Sequence, residues 1–225
     1  MKKSKIVEFR SLHPAVDIPL IEPAVNNIPE WYKKTLPVID KQMTAKKCVP
    51  LMDVFSTGYI IKTPCNIYVS TGKNNEKIIT DDFSVDSFVV GHIQSQVSEF
   101  ELDKGLNRYP FKFINSFHIK TPKGYSCFFF HPTNQTELPF YTLEAVVDTD
   151  KHKAVINFPF FIKQDFEGLI PKGTPMVQFL PFKRENWISK LKDEDSPYYD
   201  KDHYRTFGPP FSYYKKNAWT RKTYR

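Results

Sequence analysis

Apolar and polar positions along this chain follow the short periods of β-strands. Between Leu143 and Glu185 (LEAVVDTDKHKAVINFPFFIKQDFEGLIPKGTPMVQFLPFKRE) three apolar runs are separated by turn residues. Val146-Val147 leads into Asp148-Thr149-Asp150. Ala154 to Ile162 is almost wholly apolar and rich in β-branched and aromatic residues. Met176 to Phe182 is entered through Pro171-Lys172-Gly173-Thr174-Pro175. Such runs are too short for core helices and too rich in Phe, Val and Ile for loops, so they predict buried strands. Strand alternation places Ile156, Phe158 and Phe160 on one side. Together with Val155, Met176, Val177 and Phe179 they form the expected core of this region.

Earlier segments carry the same signal. Gly58 to Ser70 reads as two strand halves around Pro64, Gly72 to Lys77 as a polar turn, and Lys77-Ile78-Ile79 as a new strand. Residues 81–108 are less periodic and predict one or two edge strands and a long loop. Ile61-Lys62-Thr63-Pro64 recurs as Ile119-Lys120-Thr121-Pro122, each with an aromatic just before it and a strand bearing Tyr and Cys just after. The echo predicts two related strand–Pro–strand units in which Pro interrupts a ladder and bends the chain across a sheet corner.

The two ends differ from the middle. Residues 1–50 contain Pro14, Pro19, Pro23, Pro29, Pro37 and Pro50, a density that excludes long regular elements. One short helix opening at Pro29 and running Glu30 to Lys34 is predicted, with Trp31, Leu36 and Val38 anchoring this arm on the main domain. Between Arg184 and Asp195, Trp187, Ile188 and Leu191 share one face at helical spacing, which predicts a helix ended by Ser196-Pro197. The chain thus divides into a Pro-rich arm (1–50), a β-rich core domain (51–183) and a helix with an aromatic and basic tail (184–225). The expected fold is mainly β, a sandwich or a β-clip-like barrel.

Composition sharpens this picture in the tail. The net charge of +7 is uneven, because residues 196–225 carry +5 and the rest only +2. In the tail Tyr198, Tyr199, Tyr204, Phe207, Phe211, Tyr213, Tyr214, Trp219 and Tyr224 are interleaved with Lys and Arg, Arg221 among them. Aromatics with basic residues suit base stacking and phosphate contact, and equally suit docking on a protein. No nucleic-acid-binding motif accompanies them, which favours docking through Tyr198, Tyr199, Tyr204, Tyr213, Tyr214, Trp219, Arg221 and Tyr224.

Other chemistry is sparse. Cys48, Cys65 and Cys127 lack metal spacing and fit reduced thiols, with Cys65 and Cys127 in the core. His92, His118, His131, His152 and His203 are scattered, and His131 reads as structural at a strand end. No run reaches the ~18 apolar residues of a membrane span, and no apolar stretch follows the basic Met1–Lys5 start. A cytoplasmic protein, or one assembled there, is expected. Asp148 and Asp150 offer oxygen ligands for a nucleoside or Mg²⁺, and also suit a plain hairpin turn.

Two resemblances follow from these motifs. Ile28 to Lys34, Thr57 to Pro64, Phe117 to Tyr125, Val147 to Asp150, Asn157 to Phe161 and Pro171 to Glu185 resemble an uncharacterised protein family found in tailed bacteriophages, especially marine ones. That likeness covers most of the chain, implies a phage origin, and brings no activity with it. Val146 to Asp150 and Lys172 to Gln178 resemble two of the five motifs of the trimeric dUTPase and dCTP deaminase superfamily. That likeness implies a deoxynucleoside at Asp148 and a core strand at Gln178. The chain departs from this pattern at Ala145, where the superfamily has Gly, and at Lys151, where it has the sugar-packing Tyr. It also departs at His131 to Asn134, which lack the phosphate-holding Arg-Ser, and at Ile60, where a carboxylate is missing. Only Gly208 answers to the Gly-rich closing motif.

The expected function is therefore a non-enzymatic bacteriophage structural or accessory protein, in the virion or the host cytoplasm. It would assemble through its arm and tail with itself or other phage structural proteins, without cofactor or metal. Two alternatives stand beside it. One is a nucleotide-binding or nucleotide-hydrolysing protein using Asp148, Asp150 and Gln178, and the other is an accessory protein binding nucleic acid through the tail.

Overall fold

The computed structural model describes residues 5–12, 20–83, 87–191 and 213–225. Its strands are β1 (Glu8–Ser11), β2 (Ile21–Pro23), β3 (Val38–Ile39), β4 (Gln42–Met43), β5 (Tyr59–Lys62), β6 (Ile67–Thr71), β7 (Lys77–Asp81) and β8 (Val89–Gly91). They continue with β9 (Leu106–Phe113), β10 (Phe117–Lys120), β11 (Tyr125–Phe130), β12 (Phe140–Thr142), β13 (Ala145–Val147), β14 (Phe158–Lys163), β15 (Gly168–Ile170) and β16 (Pro175–Lys183). Two short helices, α1 (Glu30–Lys34) and α2 (Val49–Ser56), lie in the N-terminal third.

The strands pair antiparallel throughout. A five-stranded sheet runs β13-β11-β16-β5-β2 and a four-stranded sheet runs β12-β14-β9-β8. A three-stranded sheet β15-β6-β7 and the pairs β1-β10 and β3-β4 complete the set. Among the described residues no sheet closes on itself, so the β-clip-like barrel gives way to a sandwich-like fold. Phe rings join the two larger sheets. Phe129 of β11 meets Phe158 of β14 across the sheets at 5.3 Å, and within the four-stranded sheet Phe113 of β9 stacks on Phe160 of β14 at 3.8 Å. A buried Thr142 hydroxyl donates to the Met176 carbonyl oxygen at 2.8 Å, tying β12 to β16.

The expected core residues lie inside: Phe160, Met176, Val177 and Phe179 are fully buried, Ile156 and Phe158 nearly so, and Val155 half-buried. Strand β14 begins only at Phe158. Alternation alone would expose Phe161, yet it too is buried. Phe100 of the long loop before β9 stacks on it at 6.3 Å, so this strand is covered on both faces.

Both copies of the Ile-Lys-Thr-Pro echo mark a change of sheet. Strand β5 lies in the five-stranded sheet and β6, after Pro64, in the three-stranded one; β10 pairs with β1, and β11, after Pro122, joins the five-stranded sheet. The Thr before each Pro is buried, and its hydroxyl holds a turn. Thr63 donates to the Pro171 carbonyl oxygen at 3.0 Å and accepts from the Thr174 amide at 3.1 Å. Thr121 donates to the Tyr125 carbonyl oxygen at 3.1 Å and lies 2.7 Å from the Thr149 hydroxyl.

The N-terminal segment is woven into these sheets through β1 and β2 rather than laid over them. Pro29 opens α1 as expected, but the anchor is Tyr32, buried against Phe55 of α2 with ring centroids 4.8 Å apart. Trp31 is partly exposed and still donates its indole N–H to the Asn134 carbonyl oxygen at 3.0 Å. Leu36 and Val38, expected to anchor, are exposed. Leu36 precedes and Val38 opens the β3–β4 hairpin, whose Asp40-Lys41 turn holds positive φ at both residues, the geometry of a tight hairpin turn.

The helix expected from Arg184 is not formed where the structure describes it. Residues 184–191 form neither helix nor strand, and Trp187, Ile188 and Leu191 are 87%, 95% and 96% exposed. A lone helix of that length is marginal in water unless its apolar face is covered, and nothing in the described chain covers this one. Positions 192–195 lie outside the described residues. The short C-terminal helical element is instead a π-type turn at Tyr214–Ala218.

Candidate functional site

Strand register builds a polar cluster at one end of β11. Val147 pairs with Cys127, so Asp148 falls beside Ser126; Lys183 pairs with Tyr125, so Arg184 falls beside Gly124. Arg184 then grips Asp150 with two parallel bonds, Nη1 to Oδ1 at 2.8 Å and Nη2 to Oδ2 at 2.5 Å. The Gly124 amide donates to the same Oδ2 at 2.8 Å. Ser126 donates its hydroxyl to Asp148 Oδ1 at 2.7 Å and accepts from Arg184 Nη1 at 2.9 Å, while Asp148 Oδ1 lies 3.2 Å from that guanidinium nitrogen. Between the two carboxylates the buried Thr149 places its hydroxyl 3.4 Å from the Cys127 sulfur and against Thr121.

The electrostatics follow from these bonds. Arg184 and the Gly124 amide stabilise the charged form of Asp150 and hold its carboxyl well below the usual carboxylate range. Asp148 is lowered by the Ser126 bond and by the nearby Arg184. The Asp150 side chain is 3% exposed and the Asp148 side chain half exposed. A bidentate arginine–carboxylate pair with added backbone bonding is a geometric clamp. It joins the Asp148–Asp150 turn, the β10–β11 turn and the end of β16.

Gln178 works elsewhere. It pairs with Phe130, four residues along β11 from Ser126 and so about 13 Å away. Its buried amide is fully used: Oε1 accepts from the Thr133 amide at 3.1 Å, and Nε2 donates to the Val54 and Thr57 carbonyl oxygens at 3.0 and 2.7 Å. Those carbonyls end α2, where intrahelical donors run out. The structure brings Asp148 and Asp150 together and leaves Gln178 outside their cluster.

Buried thiol and imidazole groups are structural in their geometry. Burial pushes the Cys65 and Cys127 thiols up to about 12 and about 11, which keeps them in the unreactive thiol form. His131 accepts from the Thr142 amide on Nδ1 at 3.3 Å, and its Nε2 faces the Gln135 carbonyl oxygen at 3.4 Å. Burial lowers its pKa, and the Thr142 amide bonding to Nδ1 leaves the ring proton on Nε2. It stacks on Tyr141 beside a cleft of about 890 Å³ under the loop that carries Phe100. Among the described residues no group of three or more His, Cys, Asp or Glu is placed to hold a metal ion.

The tail forms the second polar cluster. Trp219 donates its indole N–H to Asp53 Oδ2 at 2.8 Å, and Lys222 Nζ reaches the same oxygen at 2.6 Å. Tyr224 lies edge-on to Tyr59 with centroids 5.8 Å apart, and Tyr59 donates to the Arg225 carbonyl oxygen at 3.3 Å. Burial, with Tyr59 alongside, raises the Tyr224 phenol; Asp53 raises Lys222. Tyr59 in turn stacks on Phe179 at 5.4 Å, which links the tail to the core. Of the other expected docking residues, Tyr213 is half-buried, Tyr214 and Arg221 are exposed, and Tyr198, Tyr199 and Tyr204 lie outside the described residues.

The partners that complete both clusters are the residues with no local sequence signal. Asp53 falls in a stretch, Cys48 to Gly91, whose pattern reads as strand-like, yet it sits on helix α2; Ser126 reads as a strand residue and Arg184 as a helix start. No known protein-family model matches the chain, and no curated protein matches it.

Proposed function

We propose that the chain is a non-enzymatic assembly protein of a tailed bacteriophage, acting in the virion or the host cytoplasm and joining neighbours through its arm and tail. The observation that carries this reading is the exposure of large apolar side chains on both end segments. Trp187, Ile188 and Leu191 stand almost wholly in solvent just beyond the Arg184 clamp, and Leu36, Val38, Ile39 and Met43 are 62%, 48%, 50% and 44% exposed around the β3–β4 hairpin. Contiguous exposed apolar side chains on an ordered frame are what a protein contact surface presents. The helical spacing of the first group, without a helix, fits a segment that folds when a partner covers it.

The polar geometry argues in the same direction. Asp150 and Gln178 spend their hydrogen-bonding capacity inside the chain, and Asp148 is held by Ser126 and Arg184. A nucleotide site would need Asp150 and Gln178 free to face a ligand, and only the half-exposed Asp148 is.

The test is a triple variant, Trp187→Ser with Ile188→Ser and Leu191→Ser. In the free chain these residues touch water, so thermal unfolding should stay where it is. Assembly, read by light scattering and by mass spectrometry of purified particles, should be lost. Unchanged assembly in that variant would overturn the reading.

A further inference from the structure

We propose that the face formed by Asp53, Thr57 and Tyr59 is a peptide seat for a Trp-x-x-Lys-x-Tyr segment, and that a second copy of the chain supplies that segment in the assembled state. The inference rests on the assembly reading above and names its partner and its contact.

The seat is built, not incidental. Gln178 fixes the C-terminal carbonyls of α2, which sets the position of Asp53. The Asp53 side chain, 14% exposed, receives two donors from the tail on one oxygen. Tyr59, held between Phe9 and Phe179, supplies the ring against which Tyr224 packs, and the Thr57 side chain hydrogen-bonds the Tyr224 phenol. Trp219, Lys222 and Tyr224 thus read one carboxylate and one aromatic face at a fixed spacing. The π-type turn at Tyr214–Ala218, closed by the Trp219 amide bonding to the Tyr214 carbonyl oxygen at 2.8 Å, presents Trp219 to the seat.

Chain length permits exchange. Residues 192–212 separate the last exposed apolar residue from the docked segment, and a stretch of that length can span about 70 Å when extended. A domain of this size measures about 45 Å across, so the same segment reaches the seat of a neighbour. Docking on the chain's own seat is favoured in dilute solution by its high local concentration. It leaves Trp187, Ile188 and Leu191 uncovered. Exchange between copies brings the segment that carries these residues against a neighbour, and that burial tips the balance.

Reversing one charge pair tests this in full-length protein. Asp53→Lys spoils the seat and keeps the tail; Lys222→Asp spoils the tail and keeps the seat. Each alone should weaken assembly on the order of tenfold or more, since like charges face each other across the contact. Mixed one to one, the two variants form opposite-charge pairs only by exchange, so sedimentation of the mixture should recover wild-type mass. A mixture that stays at the mass of its components, while the wild type assembles, overturns the exchange and leaves assembly through other surfaces. A wild type that stays monomeric at every concentration overturns both. Should Asp53→Lys fail to fold, Lys222→Asp decides alone, because Lys222 is about half exposed: retained assembly in that variant overturns the exchange. Loss of salt-sensitive single-stranded DNA binding with assembly intact would assign the tail to nucleic acid and equally overturn it.

Discussion

Gly58 offers a sharp test of the packing between β5 and β16. It holds φ at +76°, and a Cβ built there would lie 2.0 Å from the Phe179 carbonyl oxygen and 2.9 Å from its carbon. Both atoms are main chain of a central strand, so neither can swing aside. Gly124 and Gly173 share the left-handed backbone, each with φ +86°, but have nothing within 4 Å of the added carbon. Gly124→Ala and Gly173→Ala should therefore lose only the conformational term, about 1–2 kcal/mol. Gly58→Ala adds overpacking against β16 of about 1–3 kcal/mol, for a total of about 2–5 kcal/mol. That is a large share of the ~5–15 kcal/mol typical of a folded domain. Urea unfolding followed by circular dichroism gives the difference from the midpoints at a common slope, and each kcal/mol should lower Tm by about 2–4 °C. If Gly58→Ala costs no more than the other two, the close approach of Gly58 to β16 is wrong.

Further outcomes follow from the same geometry. Phe160→Ala removes a fully buried ring that touches Phe111, Phe113 and Phe140 and should cost about 3–5 kcal/mol in the same assay; a shift near zero would remove Phe160 from the core. Asp150 has its pKa depressed on folding, so the stability it adds is fully present above the unfolded carboxylate value near 3.8 and is lost as pH falls towards the folded one. The gap in unfolding midpoint between wild type and Asp150→Asn should be constant from pH 7 to 5 and narrow below about pH 4, and a gap that widens there would refute the clamp. Incubated with dUTP or dCTP, the purified protein should release no pyrophosphate; release that disappears in Asp148→Asn would restore the nucleotide reading.

Much of the architecture was legible along the chain because strands and turns are local. Alternation put Ile156, Phe158 and Phe160 on one buried side, and the apolar run at Met176 to Phe182 marked a buried strand. That Phe161 is buried as well depends on the loop that carries Phe100. Pro29 opened α1, and the repeated Thr-Pro pairs marked both sheet changes, because Pro cannot donate to a ladder wherever the chain goes next. The pattern at Trp187, Ile188 and Leu191 misled for a complementary reason: spacing says which residues would share a helical face, and says nothing of whether a surface exists to cover it. Tertiary structure alone decided what the polar residues do. Arg184 lies 34 residues from Asp150, and Trp219 lies 166 residues from Asp53. Only the register of β11 with β13 and β16, and the return of the tail over α2, bring those charges within bonding distance. A carboxylate in a turn is the same letter of sequence whether it faces a ligand or an arginine of its own chain, and the difference lies in which distant strand the fold sets beside it.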